Sequence, residues 1–188
     1  IKRMLAYSSV AQIGYMIVGV SLVSVLGMTG GLLHLFNHAL MKGVLFLAMG
    51  CVFYRIGSVA LGDLDGLGRR MPWTMAAFVI GGLSLIGIPL TAGFVSKLYL
   101  ILAAWDKDWW WLAGLIVLSS LLAIIYVWRI IEVAYLRDPP EGVEMKEAPL
   151  SLLIPAWVLA LANIYFGIDT RVSVGVAETA AKYLLGAS

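Results

Sequence analysis

Residues 32–54 read LLHLFNHALMKGVLFLAMGCVFY, and this stretch decides the fold. It is long and apolar enough to cross a bilayer, which takes ~20 mostly apolar residues. Yet it carries His34, His38 and Lys42 at i, i+4 and i+8. That spacing stacks the three side chains on one helix face, drifting by ~40° per step and covering ~12 Å along the axis. An ionised lysine near the bilayer centre costs ~2.5–3.5 kcal/mol on insertion scales. A column of protonatable groups held there at such a cost reads as a ladder for protons, with water bridging the gaps. The competing account is interhelical hydrogen bonding by the histidines and snorkelling by the lysine.

The rest of the chain is of the same kind. Of 188 residues, 62% are hydrophobic and 13% charged, against ~45–50% and ~25% in soluble domains. A soluble globular domain, a disordered tail and a disulfide scaffold are excluded. With 13 basic and 11 acidic residues, the net charge of +2 is too even for a nucleic-acid binder. The single cysteine, Cys51, lies in an apolar run and reads as an inert buried thiol. The expected architecture is an all-α integral membrane domain over residues 1–168 with about five spans. These lie near residues 5–26, 32–54, 73–105, 109–136 and 149–168, and Gly27–Gly31 reads as a tight turn. Pro139-Pro140 stops the fourth span. The tail, 169–188, has the periodicity of an amphipathic surface helix through Val172, Val176, Ala180 and Leu184. Ile1 is followed at once by Lys2, Arg3 and an apolar run, without a small-residue cleavage site. The chain is therefore expected to be a piece of a longer protein.

The third stretch holds about 33 residues, ~50 Å of straight helix against a ~30 Å hydrocarbon core. Gly87-Ile88-Pro89 interrupts it, and Gly81, Gly82 and Gly93 loosen the same region. A broken membrane helix is tolerated where it is buried in protein or lines a water-filled cavity, and such breaks recur in ion-coupled transporters. Lys97 follows Pro89 by eight residues, which favours an ion path over a plain proline kink. Ser119, Ser120 and Tyr126 on the fourth span are candidates to line that path, although small-residue helix packing accounts for the serines. Asn37 reads as an interhelical hydrogen bond. Lys2, Arg3, Arg55, Arg69, Arg70, Arg137 and Lys146 fall on one side, and Lys107, Arg171 and Lys182 on the other. The positive-inside rule makes the first side cytoplasmic, including the N-terminal end and the 55–72 loop. The Trp109-Trp110-Trp111 cluster suits the opposite interface.

Four segments resemble one known family. They are KRMLAYSS at 2–9 running on to QIGYM at 12–16, HLFNHALMKG at 34–43 followed by LFL at 45–47, LDGLGRRMP at 64–72, and GIPLTAGFVSK at 87–97. In this order they resemble the proton-antiporter membrane subunits: the D and A subunits of Mrp-type sodium/proton antiporters, the antiporter-like subunits of respiratory complex I, and their relatives in membrane-bound hydrogenases. The resemblance covers residues 1–137 well and the rest loosely. It implies about fourteen helices with two inverted five-helix repeats, of which this chain would hold most of the second. It also implies a proton path through His34, His38, Lys42 and Lys97, with Lys2 at the cytoplasmic start of its helix. Gly87, Pro89 and Gly93 form the helix break, and the lysine at position 97 is a glutamate in some members.

Within the family, the second and fourth segments look most like the Mrp-type D member. The implied function is a proton-translocating subunit of a multisubunit Na⁺/H⁺ antiporter in a bacterial-type cytoplasmic membrane. Its partners would be other membrane subunits, H⁺, Na⁺ and the lipid bilayer, with no nucleic acid. Protons would pass the His34/His38/Lys42 column to Lys97, with opposed Na⁺ movement coupled electrostatically. The first alternative is an antiporter-like subunit of a complex I-type oxidoreductase or a hydrogenase. The second is a membrane scaffold without an ion path. No quinone, flavin or iron–sulfur motif occurs, so no cofactor is expected and redox chemistry would belong to partners. There is no His-Glu-x-x-His and no third histidine, so no metal site is expected. His34 and His38 share one face of one helix and cannot ligate opposite faces of one haem.

Overall fold

A computed structural model describes residues 1–139 and 146–187; Pro140 of the expected stop lies outside them. The described residues form eight α-helices and one short 3₁₀ turn. Helix α1 (Lys2–Ser21) runs into α2 (Val25–Ile56), the central column of the bundle. Then come the 3₁₀ turn (Leu61–Leu64), α3 (Leu67–Arg70), α4 (Pro72–Ile86), α5 (Ala92–Asp106), α6 (Trp110–Leu136), α7 (Leu150–Ile168) and α8 (Arg171–Leu185). Four of these, α1, α2, α6 and α7, are individually long and apolar enough to cross a membrane. Helices α4 and α5, 15 residues each, make the fifth crossing as two halves.

Helix α2 touches α1, α4, α5, α7 and α8, so its side chains meet most of the bundle. Its apolar stripe Met41, Leu45, Ala48 and Val52 packs with Met75, Phe78 and Leu85 of α4 and Val127 and Ile130 of α6. At 32 residues it is ~48 Å long, more than the hydrocarbon core requires.

The expected turn at Gly27–Gly31 is wrong. The chain reverses at Leu22–Ser24, where Val23 takes φ 43°. The Ser24 hydroxyl then caps α2 by accepting from Gly27 N at 3.1 Å. The glycines are helical because α1 and α2 meet there backbone to backbone. A Cβ on Gly19 would sit 2.6 Å from Gly31 Cα and 2.7 Å from Gly27 O.

The α4–α5 break is built as a joint. Gly87, at φ 90°, closes α4 by donating its N–H to Leu83 O. Leu90 is also left-handed, φ 70°. Across the joint, Gly93 N donates to Ser84 Oγ at 3.1 Å, and a Cβ on Gly93 would lie 1.9 Å from Ser84 O. Gly167 of α7 rests on Leu90 and Thr91.

At the other end of α4, Glu147 accepts from Trp73 N and Thr74 N at 3.1 and 3.2 Å. This carboxylate caps the helix from outside its own segment. The ion pairs Asp65–Arg137 and Arg69–Asp138 tie the 57–71 loop to the end of α6; being exposed, they contribute little. The tail forms helix α8, which lies against α2 through small residues. Ala177 and Ala181 are buried, whereas Val172, Val176 and Leu184 are exposed.

Gly93→Ala is expected to overpack the joint and lower the apparent Tm by about 5 °C. The change is readable as earlier thiol-dye labelling of the buried Cys51. Gly114→Ala, with open space around the new methyl, should leave the transition in place. An unshifted Gly93→Ala would contradict the close approach.

Candidate functional site: a buried row of histidines and lysines

Helix α1 turns Leu5, Ser8, Gln12, Tyr15 and Gly19 inward, a 3-and-4 spacing that makes one buried face. This face lies against the His34–His38–Lys42 column of α2, and α5 closes the third side. Lys42 Nζ donates to Leu5 O at 2.8 Å and to Ser8 Oγ; Tyr126 lies against Ser8. The rings of His38 and His34 stack with centroids 6.4 Å apart. His38 Nε2 is buried without a hydrogen-bond partner among the described residues.

His34 is fully buried and engaged at both nitrogens. Nδ1 lies 2.8 Å from Ser96 Oγ on α5, and Nε2 lies 3.1 Å from Gln12 Oε1 on α1. Ser96 Oγ is also 3.2 Å from Gly93 O. The neutral ring is satisfied when the Ser96 hydroxyl donates to Nδ1 and Nε2–H donates to Gln12. The doubly protonated ring is satisfied when Nδ1–H donates to Ser96 and that hydroxyl turns to Gly93 O. Gaining or losing a proton at His34 therefore requires rotation of one O–H bond and no movement of heavy atoms.

Tyr15 continues the row. Its ring meets His34 edge-on at 5.1 Å and lies 5.1 Å from Lys97 Nζ on its other contact. Lys97 is buried, and its ammonium donates to Leu85 O and Ile86 O, both at 2.9 Å. These carbonyls have lost their helical partners because α4 stops at the joint. Gly87 beside them holds the left-handed φ of 90° that favours glycine, and a Cβ there would also sit 3.0 Å from Lys97 Cδ. Neither buried lysine has an ion pair among the described residues.

The structure thus brings His34, His38, Lys42 and Lys97 into one row and leaves Lys2 apart. Lys2 is exposed at the start of α1, beside a pocket of about 240 Å³ lined by Leu5, Phe46, Met49 and Phe53. Gly87, Pro89 and Gly93 lie at or beside the joint. Asn37 makes its interhelical bond, Nδ2 to Ala92 O at 2.6 Å. Of the other path candidates, Tyr126 reaches the row, whereas the Ser120 hydroxyl turns back to Ile116 O of its own helix. Sequence reasoning missed Gln12, Tyr15 and Ser96 as partners. Gln12 was the available signal, an amide on the buried face of an otherwise apolar helix. Among the described residues no group of three or more His, Cys, Asp and Glu side chains is placed to hold a metal.

Residues 1–123 match the model of the family described as NADH:quinone oxidoreductase/Mrp antiporter, TM. Subunit N of the NADH-quinone oxidoreductase of Desulforudis audaxviator is 41% identical over 88% of this chain and 36% of its own length. Subunit L of the F(420)H(2) dehydrogenase of Methanosarcina mazei is 34% identical over 91% of this chain and 27% of its own. The chain thus spans about a third of the length of these curated relatives. Among solved structures, the Mrp complex of Dietzia sp. matches with TM-score 0.90 and 29% identity, over 96% of this chain and 42% of the other. Respiratory complex I of Thermus thermophilus matches with TM-score 0.79 and 27% identity, over 98% and 40%. The curated relatives favour the oxidoreductase alternative over the expected Mrp-type D member. The chain belongs to the NADH:quinone oxidoreductase/Mrp antiporter transmembrane family, as an antiporter-like membrane subunit.

Proposed function

We propose that this chain carries one proton path of an antiporter-like subunit in a redox-driven membrane complex of the complex I type. The observation that carries the reading is the row itself: two buried ammoniums, joined by two histidines and a tyrosine, and bound only to neutral oxygens. A lysine paired to a carboxylate would be locked in its charged form. A lysine held by carbonyls and hydroxyls changes protonation as neighbouring charge changes. His34 relays because its site accommodates both protonation states. Water at His38 Nε2 completes the link to Lys42, and Lys97 passes the proton on at the joint. The electrons, and the cofactors that carry them, belong to partner subunits. The membrane is a bacterial-type cytoplasmic membrane, with Lys2 and the 55–72 loop on the cytoplasmic side.

The fold match to the Dietzia Mrp complex favours a second reading, Na⁺-coupled antiport with the same proton path. The scaffold reading has no observation to account for two buried lysines.

In inverted vesicles holding the full chain and its neighbouring subunits, the electron donor is expected to acidify the interior and a Na⁺ pulse without donor is not. Lys42→Ala should lower the initial rate at least about tenfold, the factor for ~1.4 kcal/mol in a barrier, with the complex still assembled. Collapse of a pH gradient by Na⁺ alone would favour the Mrp reading. Full pumping by Lys42→Ala would leave the scaffold.

Ser96→Ala is expected to slow pumping several-fold, by stranding His34 Nδ1. Ser96→Thr, which keeps the rotating hydroxyl, should recover most of the rate. Equal rates in Ser96→Ala and wild type would remove the hydroxyl from the mechanism.

For orientation, Gly62→Cys is expected to react with an impermeant maleimide from the cytoplasmic side and Asp106→Cys from the other. The reverse pattern would invert the topology.

A further inference from the structure

Two asparagine side chains at the joint are buried and only half satisfied. Asn37 of α2 is 1% exposed and Asn163 of α7 is fully buried. Each amide nitrogen donates to a backbone carbonyl, Asn37 Nδ2 to Ala92 O and Asn163 Nδ2 to Leu159 O at 2.9 Å. Those bonds fix which way each amide points. Each Oδ1 is left without a partner among the described residues.

The two residues lie at nearly the same height on facing helices. Asn37 is bonded to the first residue of α5, directly after the joint. Gly167, one turn beyond Asn163 on the same face of α7, lies against Leu90 and Thr91, directly before it. Contacts of Phe36 with Phe166 and of Gly43 with Leu159 set the α2/α7 register. They put Asn163 level with residues 39–40, within a turn of Asn37. Two carbonyl oxygens cannot bond one another, and an orphaned buried acceptor in an apolar setting is costly. A single water satisfies both, because it has two O–H donors to share.

We infer that a water molecule is buried at the helix joint between α2 and α7, donating to Asn37 Oδ1 and Asn163 Oδ1. It hydrates the joint from the α7 side, while Lys97 occupies the carbonyls at the end of α4. The water site stands without the proton reading. Its contribution to transport, as a station beside Lys97, rests on that reading. Asn37 and Asn163 are then positioning residues that act through the water.

The test is a cryo-EM map of the intact membrane complex, sharp enough to show ordered water, for wild type and for Asn163→Leu. Density within hydrogen-bonding distance of both Oδ1 atoms in the wild type, lost in Asn163→Leu, is the expected result. A dry contact in the wild type, or a protein donor reaching either oxygen, overturns the inference. The same preparations are assayed for pumping. Asn163→Leu should slow it about tenfold, and Asn163→Ser, small enough to readmit water, should recover to within about twofold. Failure of Asn163→Ser to recover despite restored density would remove the transport role. If Lys42→Ala and Lys97→Ala pump normally while the density is present, it is the proton reading that fails and the water site that stands.

Discussion

An ammonium group inside an apolar helical bundle must find oxygen, and here the backbone supplies most of it. An unbroken helix offers few free carbonyls, because each is used by the amide four residues on. The joint at Gly87–Thr91 interrupts that pattern and leaves Leu85 O and Ile86 O for Lys97. Lys42 is served at the other end of the row by Leu5 O and the Ser8 hydroxyl. Neither arrangement contains a carboxylate. A buried ion pair would hold the charge in place and would be costly to break; neutral oxygens do neither.

The packing is arranged around this. Glycines sit where backbones must touch: Gly19 against Gly31 to bring α1 onto α2, Gly93 against Ser84 to set the start of α5 on the end of α4, and Gly167 against Thr91 to seat α7 on the joint. These contacts set the distances at which Gln12, Ser96 and Tyr15 meet His34. Glu147, reaching from the segment before α7, fixes the far end of α4. The helices therefore converge on the row.

Much of this was legible in the sequence, and the physical reason is periodicity. Three ionisable residues at i, i+4 and i+8 share a helix face wherever the helix packs, so the column followed from spacing alone. The break followed from a glycine and a proline inside a stretch too long for one span. The Gly27–Gly31 segment misled because glycine serves turns and close helix contacts equally well, and composition does not separate them. The partners Gln12 and Ser96 depend on how three helices are rotated against each other, which one sequence does not encode locally. The tail's periodicity likewise did not say which residues meet α2; Ala177 and Ala181 do, while Val172, Val176 and Leu184 face outward. The 34–43 and 87–97 segments suggested the Mrp branch, whereas the curated relatives favour the oxidoreductase branch; those segments build the row, and the row suits both.

Lys97→Arg in the assembled complex tests most directly whether the buried lysines carry protons rather than merely place positive charge at the joint. Arginine keeps the charge and the donors for Leu85 O and Ile86 O, yet it does not give up a proton in a protein. Donor-driven proton uptake is predicted to be lost in Lys97→Arg and partly retained in Lys97→His, with both complexes intact. Uptake at the wild-type rate in Lys97→Arg would contradict the account, because a fixed charge would then suffice.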